Sequence, residues 1–187
     1  MTRNGLLVLT MLVVTLPMGC GFLSRAPKNE IYSLDTLPAE GARTAMTGAP
    51  IGIDAVELPP GLDRKDVAVR GTDHRLEVRG THQWASSLEE MVTHTLAFDL
   101  ANRLPDGMVI LPGQVKPVGT MRSLSVTFED LAAGPDRVFV LDARWTLNGV
   151  THQEHITVNA ESLESAAIAD AMSRALAMLA DRIVAGL

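Results

Sequence analysis

Asn148-Gly149 divides two long alternating stretches, and no other feature of the sequence restricts the fold as much. Upstream, Phe139, Leu141, Ala143, Trp145 and Leu147 alternate with Val140, Asp142, Arg144 and Thr146, and Val150 to Val158 continues the pattern. A period of two marks a strand buried on one face. An Asn-Gly pair favours a type I′ turn, in which both central residues take positive φ, and so closes a tight hairpin. Leu124, Val126 and Phe128 add a third run, and the segment predicts a meander of Ser123 to Asp130, Arg137 to Leu147 and Val150 to Val158.

Two helical patterns flank this meander. From Trp84 to Leu104, the residues Trp84, Leu88, Met91, Val92, Leu96, Phe98 and Leu100 recur at spacings of three and four, which predicts one buried stripe. Ser87 with Glu90 has the form of a capping box, and Pro105-Asp106-Gly107 ends the helix. Ser162 to Ala185 forms the second, burying Ile168, Met172, Leu176, Leu179 and Ile183. Shorter strands are expected at Ile31 to Leu34, Ile51 to Val56 and Met108 to Leu111, with a hairpin of Val67 to Arg70 and Leu76 to Arg79. Pro38 to Pro50 reads as a loop. The order predicts an α+β fold: a mixed, largely antiparallel sheet with two long amphipathic helices packed on one face.

The N-terminus has a different composition. Arg3 is followed by eleven residues from Leu6 to Leu16 without a charge, and the run stops at Pro17. Roughly 20 apolar residues are needed to cross a bilayer, so a cleaved export signal fits better than a permanent span. Gly19 precedes Cys20, the single cysteine, and Leu16-Pro17-Met18-Gly19-Cys20 resembles a bacterial lipobox, with Pro17 where leucine is usual. The expected organisation is a signal peptide at 1–19, a lipidated tether at 20–29 and one domain at 30–187. Acylation of Cys20 would remove disulfide, zinc-thiolate and cysteine-nucleophile chemistry together.

Without Arg3 the 16 basic residues become 15 against 22 acidic, a net charge of −7, which gives no electrostatic basis for nucleic-acid binding. Nucleophile elbows, glycine-rich phosphate loops and the H-E-x-x-H helix are missing from the sequence, and no cofactor is expected. His152-Gln153-Glu154-His155 is the nearest thing to a metal motif, but residues three apart on a strand point to opposite faces. His82 and His94 are too far apart to share a site, and Asp54, Glu57, Asp63 and Asp66 form a loose acidic group without a partner base. Trp84 and Trp145 lie on the apolar phase of their elements: each belongs either to the core or to an apolar groove for a lipid chain or partner.

Ile31-Tyr32-Ser33-Leu34, the block Ile51 to Arg64, Val67-Ala68-Val69-Arg70 and Trp84-Ala85-Ser86-Ser87-Leu88 follow the signal and cysteine in order. This arrangement resembles the ABC-type transport auxiliary lipoproteins, PqiC-like proteins among them. The most specific stretch is Val56-Glu57-Leu58-Pro59-Pro60-Gly61-Leu62-Asp63-Arg64, with Gly61 where an aromatic is common. The resemblance implies a non-catalytic lipoprotein that serves an MCE-domain protein and an ABC permease with its ATPase in lipid movement between membranes. Gly21 rather than aspartate after Cys20 points to the outer membrane, at its periplasmic face. A ring-like homo-oligomer would suit a conduit. Two other classes compete: a structural lipoprotein of outer-membrane assembly, and a lipid hydrolase, for which no nucleophile and base are found.

Overall fold

The computed structural model describes residues 28–115, 117 and 119–187. In chain order the elements are β1 (Glu30–Tyr32), β2 (Ile51–Glu57), β3 (Asp66–Arg70), β4 (Leu76–Trp84), α1 (Leu88–Arg103), β5 (Val109–Ile110), β6 (Arg122–Ala133), β7 (Val138–Leu147), β8 (Val150–Asn159) and α2 (Ser165–Ala185). The fold is α+β with mixed sheets. The strands divide into a five-stranded sheet of order β5-β2-β6-β7-β8 and a three-stranded sheet of order β1-β4-β3, where the sequence suggested one.

The meander is present as read. Val150 pairs with Leu147 and Asn159 with Val138 in an unbroken antiparallel ladder, and Asn148 and Gly149 have φ of 53° and 80°. Leu124, Val126, Phe128, Phe139, Leu141, Ala143, Trp145, Ile156 and Val158 are buried, whereas Thr127, Arg144, Thr146 and Thr157 remain partly or fully exposed. One face of this sheet is therefore apolar, and it carries both helices: α1 packs on β2 and β5, and α2 on β7 and β8. Parallel pairing enters through β2, which lies between β5 and β6 and runs parallel to both. Each of those connections passes through other elements, as parallel neighbours require.

Bulges join the two sheets. The β6–β7 register shifts between Phe128 and Asp130, which reverses the inward phase of β6 beyond that point. Leu131, Ala132 and Ala133 are all buried as a result, so the end of β6 is covered on both faces, and β3 packs against it. Arg70 of β3 reaches Asp130 of β6 with both carboxylate oxygens at 2.7 Å from Nη2.

The first helix starts later than its apolar spacing suggested. Trp84 is the last residue of β4, paired in register with Tyr32 of β1, and its backbone N–H donates to the Lys65 carbonyl. Ser87 then caps α1, its Oγ accepting from the Glu90 N–H at 3.2 Å. A strand that ends on one apolar residue three positions before the cap extends the helical spacing by chance, because Trp84 and Leu88 are four apart in both readings. Phe98 also leaves the proposed stripe: it is half-buried and stacks on His94, ring centroids 4.7 Å apart.

Trp84 and Trp145 are 3% and 1% exposed, and both belong to the core cluster. Trp145 lies beneath His152 of β8, ring centroids 4.0 Å apart, and the end of α2 approaches it so closely that a Cβ on Gly186 would come within 2.8 Å of the indole. Truncation at Trp84 removes an indole that joins β4 to the core. Trp84→Ala is expected to destabilise the fold by about 3–5 kcal/mol, through lost transfer energy and a residual cavity, as read by denaturant unfolding.

Candidate functional site

The residues between β1 and β2 form a strap with no regular structure, laid across the helices. Backbone groups at its start have no strand to pair with, and buried side chains of the helices supply the partners. The Asp35 N–H donates to Ser173 Oγ of α2 at 3.0 Å, and the Leu37 N–H to Asp99 Oδ1 of α1 at 2.7 Å. Farther along, the Thr44 N–H donates to the Arg103 carbonyl at 2.8 Å.

Arg103 organises this crossing although it is only 4% exposed. Its Nε and Nη2 donate to the two oxygens of Asp181 on α2, and its Nη1 donates to the carbonyls of Asp99 and Leu37. Asp99 is fully buried, its Oδ1 4.0 Å from Arg103 Nη1 and its Oδ2 without a hydrogen-bond partner. Burial pushes the Asp99 carboxyl up from 3.8 to about 6, against the opposing pull of the Leu37 N–H and the Arg103 guanidinium. The periodic reading overlooked this pair because it counted apolar residues only. Thr95, Asp99 and Arg103 are buried on α1 along with Leu88, Met91, Val92, Leu96, Ala97 and Leu100, so two positions of its buried face are charged.

Beside Arg103 the strap and the end of α2 enclose an open cavity of about 740 Å³. Arg103, Asp181 and Arg122 supply its charged wall, and Met46, Val184 and Leu187 are among its apolar groups. Arg122, the first residue of β6, donates from Nε to the Ala49 carbonyl at 3.1 Å and from Nη2 to Met46 Sδ.

The residues singled out in the sequence do not converge there. Cys20 lies outside the described residues. His152 and His155 occupy opposite faces of β8: one stacks on Trp145, and the other pairs with Asp142 across the outer face. His82 stacks on Tyr32, whose hydroxyl donates to Glu30, and His94 stacks on Phe98. Asp66 accepts from Gln83 and Glu57 from Thr127, each within its own neighbourhood. Among the described residues no group of three or more His, Cys, Asp or Glu side chains could hold a metal ion.

Asp99 gives the site a pH dependence whose sign follows from its raised pKa. The folded state holds the Asp99 proton up to about pH 6. Its contribution to stability is fully present below the unfolded value near 3.8 and is lost as pH rises through about 6. Asp99→Asn removes this dependence. Between pH 4 and pH 7 the native chain should lose stability relative to the Asn variant by up to about 3 kcal/mol, measured by urea unfolding at each pH. At pH 7, Arg103→Ala should destabilise by about 3–5 kcal/mol, since it removes the donor to the Asp99 and Leu37 carbonyls and to the Asp181 carboxylate and takes the nearby cation from the buried Asp99 carboxyl.

Comparison with known proteins agrees with the architecture. An uncharacterised protein of known crystal structure is 18% identical with a TM-score of 0.68, over 85% of this chain and 98% of its own. A crystallised protein from Xanthomonas campestris, described by the family model DUF330, is 12% identical with a TM-score of 0.61, over 84% of this chain and 92% of its own. At these identities the likeness is one of fold. No curated protein matches the chain at a significant level. Residues 32–184, from the end of β1 almost to the end of α2, match the family model for the ABC-type transport auxiliary lipoprotein component, and the chain belongs to that family.

Proposed function

We propose that this protein is a lipid-anchored periplasmic accessory of an intermembrane lipid transport system, a non-catalytic module that docks an MCE-domain protein and its ABC permease and ATPase at the outer membrane. The family match over residues 32–184 carries the reading, because it spans nearly all of the described fold. Four of the five histidines support it: His82, His94 and His152 stack on aromatic rings and His155 pairs with Asp142. Among the described residues no helix is long and apolar enough to cross a membrane. Attachment in this proposal falls to an acyl group on Cys20. Only nine residues lie between Cys20 and Glu30, ten steps along the backbone. Fully extended, they reach about 35 Å, so the domain works close to the bilayer that anchors it. A tether this short raises the local concentration of a docking module without demanding strong intrinsic affinity. The runs of strand edge and loop outside the helical layer offer contact surfaces for an MCE-type partner or for further copies in a ring.

Two experiments test the proposal. Cys20→Ser should abolish incorporation of labelled fatty acid and leave the precursor uncleaved, and Gly21→Asp should move the protein toward the inner-membrane fraction. Unchanged labelling and size in the serine variant would refute the anchor. Affinity capture of the lipidated protein from envelope extract should recover an MCE-domain protein, while purified protein shows no esterase or phospholipase turnover. Hydrolysis abolished by one Ser, Asp or His substitution would overturn the accessory role.

A further inference from the structure

We propose that the cavity between the strap and the end of α2 binds a phosphate monoester carried on an apolar chain, with Arg122 as the anion-binding group. The cavity is of ligand size: about 740 Å³ against the roughly 300–1,000 Å³ usual for small-molecule sites. Its two guanidinium groups are not equivalent. Arg103 is already matched by Asp181 and uses both Nη1 donors on the Asp99 and Leu37 carbonyls, so four of its five N–H groups are engaged. Arg122 has only a carbonyl and a thioether as acceptors, and it is half-buried. The residues outside the described set contain no Asp or Glu, so they cannot supply the missing carboxylate. A half-desolvated guanidinium with two neutral acceptors retains an unbalanced charge and unused donors in a planar fork that fits phosphate oxygens.

The rest of the wall selects among phosphates. Met46, which touches Arg122, is half-buried and Leu187 is 40% exposed, so an apolar group attached to the phosphate finds accessible apolar surface in the same recess as the cation. Glu40 also borders the cavity, but it is exposed and makes no hydrogen bond to Arg122. Free phosphate shares the headgroup chemistry without the apolar part and would use Arg122 alone. The lipid-transport reading enters only in choosing a lipid as the source of the phosphate. Failure to capture an MCE-type protein would bear on the partner, whereas this binding is measured on purified protein with no partner present.

The test uses the mature lipidated protein in dodecyl maltoside, whose neutral headgroup does not compete for a cation. Phosphorus-31 line broadening is titrated for dihexanoyl phosphatidic acid, dihexanoyl phosphatidylcholine and inorganic phosphate. Phosphatidic acid should bind at least about tenfold more tightly than either of the others, because only it combines an unshielded phosphate monoester with apolar chains. Arg122→Gln should weaken that binding by about tenfold or more, and Arg122→Lys by less. Ala185→Glu places a carboxylate at the cavity wall from an exposed helical position, and it should weaken binding without lowering the unfolding temperature. Inorganic phosphate binding as tightly as phosphatidic acid would overturn the amphiphile assignment. Unchanged broadening in both Arg122→Gln and Ala185→Glu would overturn the site.

Discussion

The crossing of α1, α2 and the strap depends on one guanidinium. Arg103 presents its donors in a plane, and that plane meets a carboxylate on α2, a carbonyl of its own helix and a carbonyl of the strap. Apolar side chains of similar volume could hold two helices together as tightly, since buried ion pairs repay little more than their desolvation. They could not direct the backbone of Leu37, whose carbonyl faces Arg103 and whose N–H faces Asp99. The strap has no ladder of its own, and so its path is set by these directional contacts. The cavity follows from that path, because strap residues form one of its walls.

A second constraint comes from the sheet. The bulge in β6 after Phe128 lets a single strand serve two layers: Leu124, Val126 and Phe128 face the helices, and farther on Ala132 is buried as well, where β3 packs against β6. A twelve-residue strand without a bulge would keep one side chain phase throughout and expose every second residue at its far end. The Arg70–Asp130 contact lies on this second face, next to the prolines of the Val56 to Arg64 stretch. That stretch, the most specific part of the family resemblance, therefore lies at the junction of the two sheets. Its Leu62 is buried and its Gly61 takes a φ of 88°, a left-handed conformation that an aromatic residue would hold only under strain.

Elements whose period is carried by many residues were legible in the sequence. The meander, its Asn-Gly turn and the core face of α2 rest on repeated alternation, and each added residue reinforced the same phase. The start of α1 was not legible, because Trp84 satisfies both a strand paired to β1 and a helix spaced to Leu88; only the distant Glu30–Tyr32 strand decides between them. Division into two sheets was hidden for the same reason, since pairings such as β2 with β6 join residues far apart in sequence. The polar crossing was missed differently. Asp99 and Arg103 sit four apart, which on an exposed helix is the spacing of a surface ion pair, and nothing local distinguishes that case from burial. The backbone donors that buried side chains meet, those of Asp35 and Leu37, precede the loop read as Pro38 to Pro50, so the length of that loop did not signal them.

Net charge and local charge separate in this molecule. A chain at −6 repels anions at long range, but at physiological ionic strength that field decays within about 8–10 Å. Inside a cavity the nearest unmatched group dominates, because less water stands between it and the ligand. Asp181 cancels Arg103 at hydrogen-bond distance, leaving a short dipole whose field falls off quickly. Arg122, with a carbonyl and a thioether for neighbours, has no such cancellation. An acidic exterior around a recess with one uncancelled guanidinium also keeps loosely attracted anions off the surface while leaving one place where an anion is stabilised. Exchange at such a place is quick, since a single guanidinium holds an oxyanion far less tightly than a closed set of donors would, and differences in affinity are expressed mainly in the rate of release.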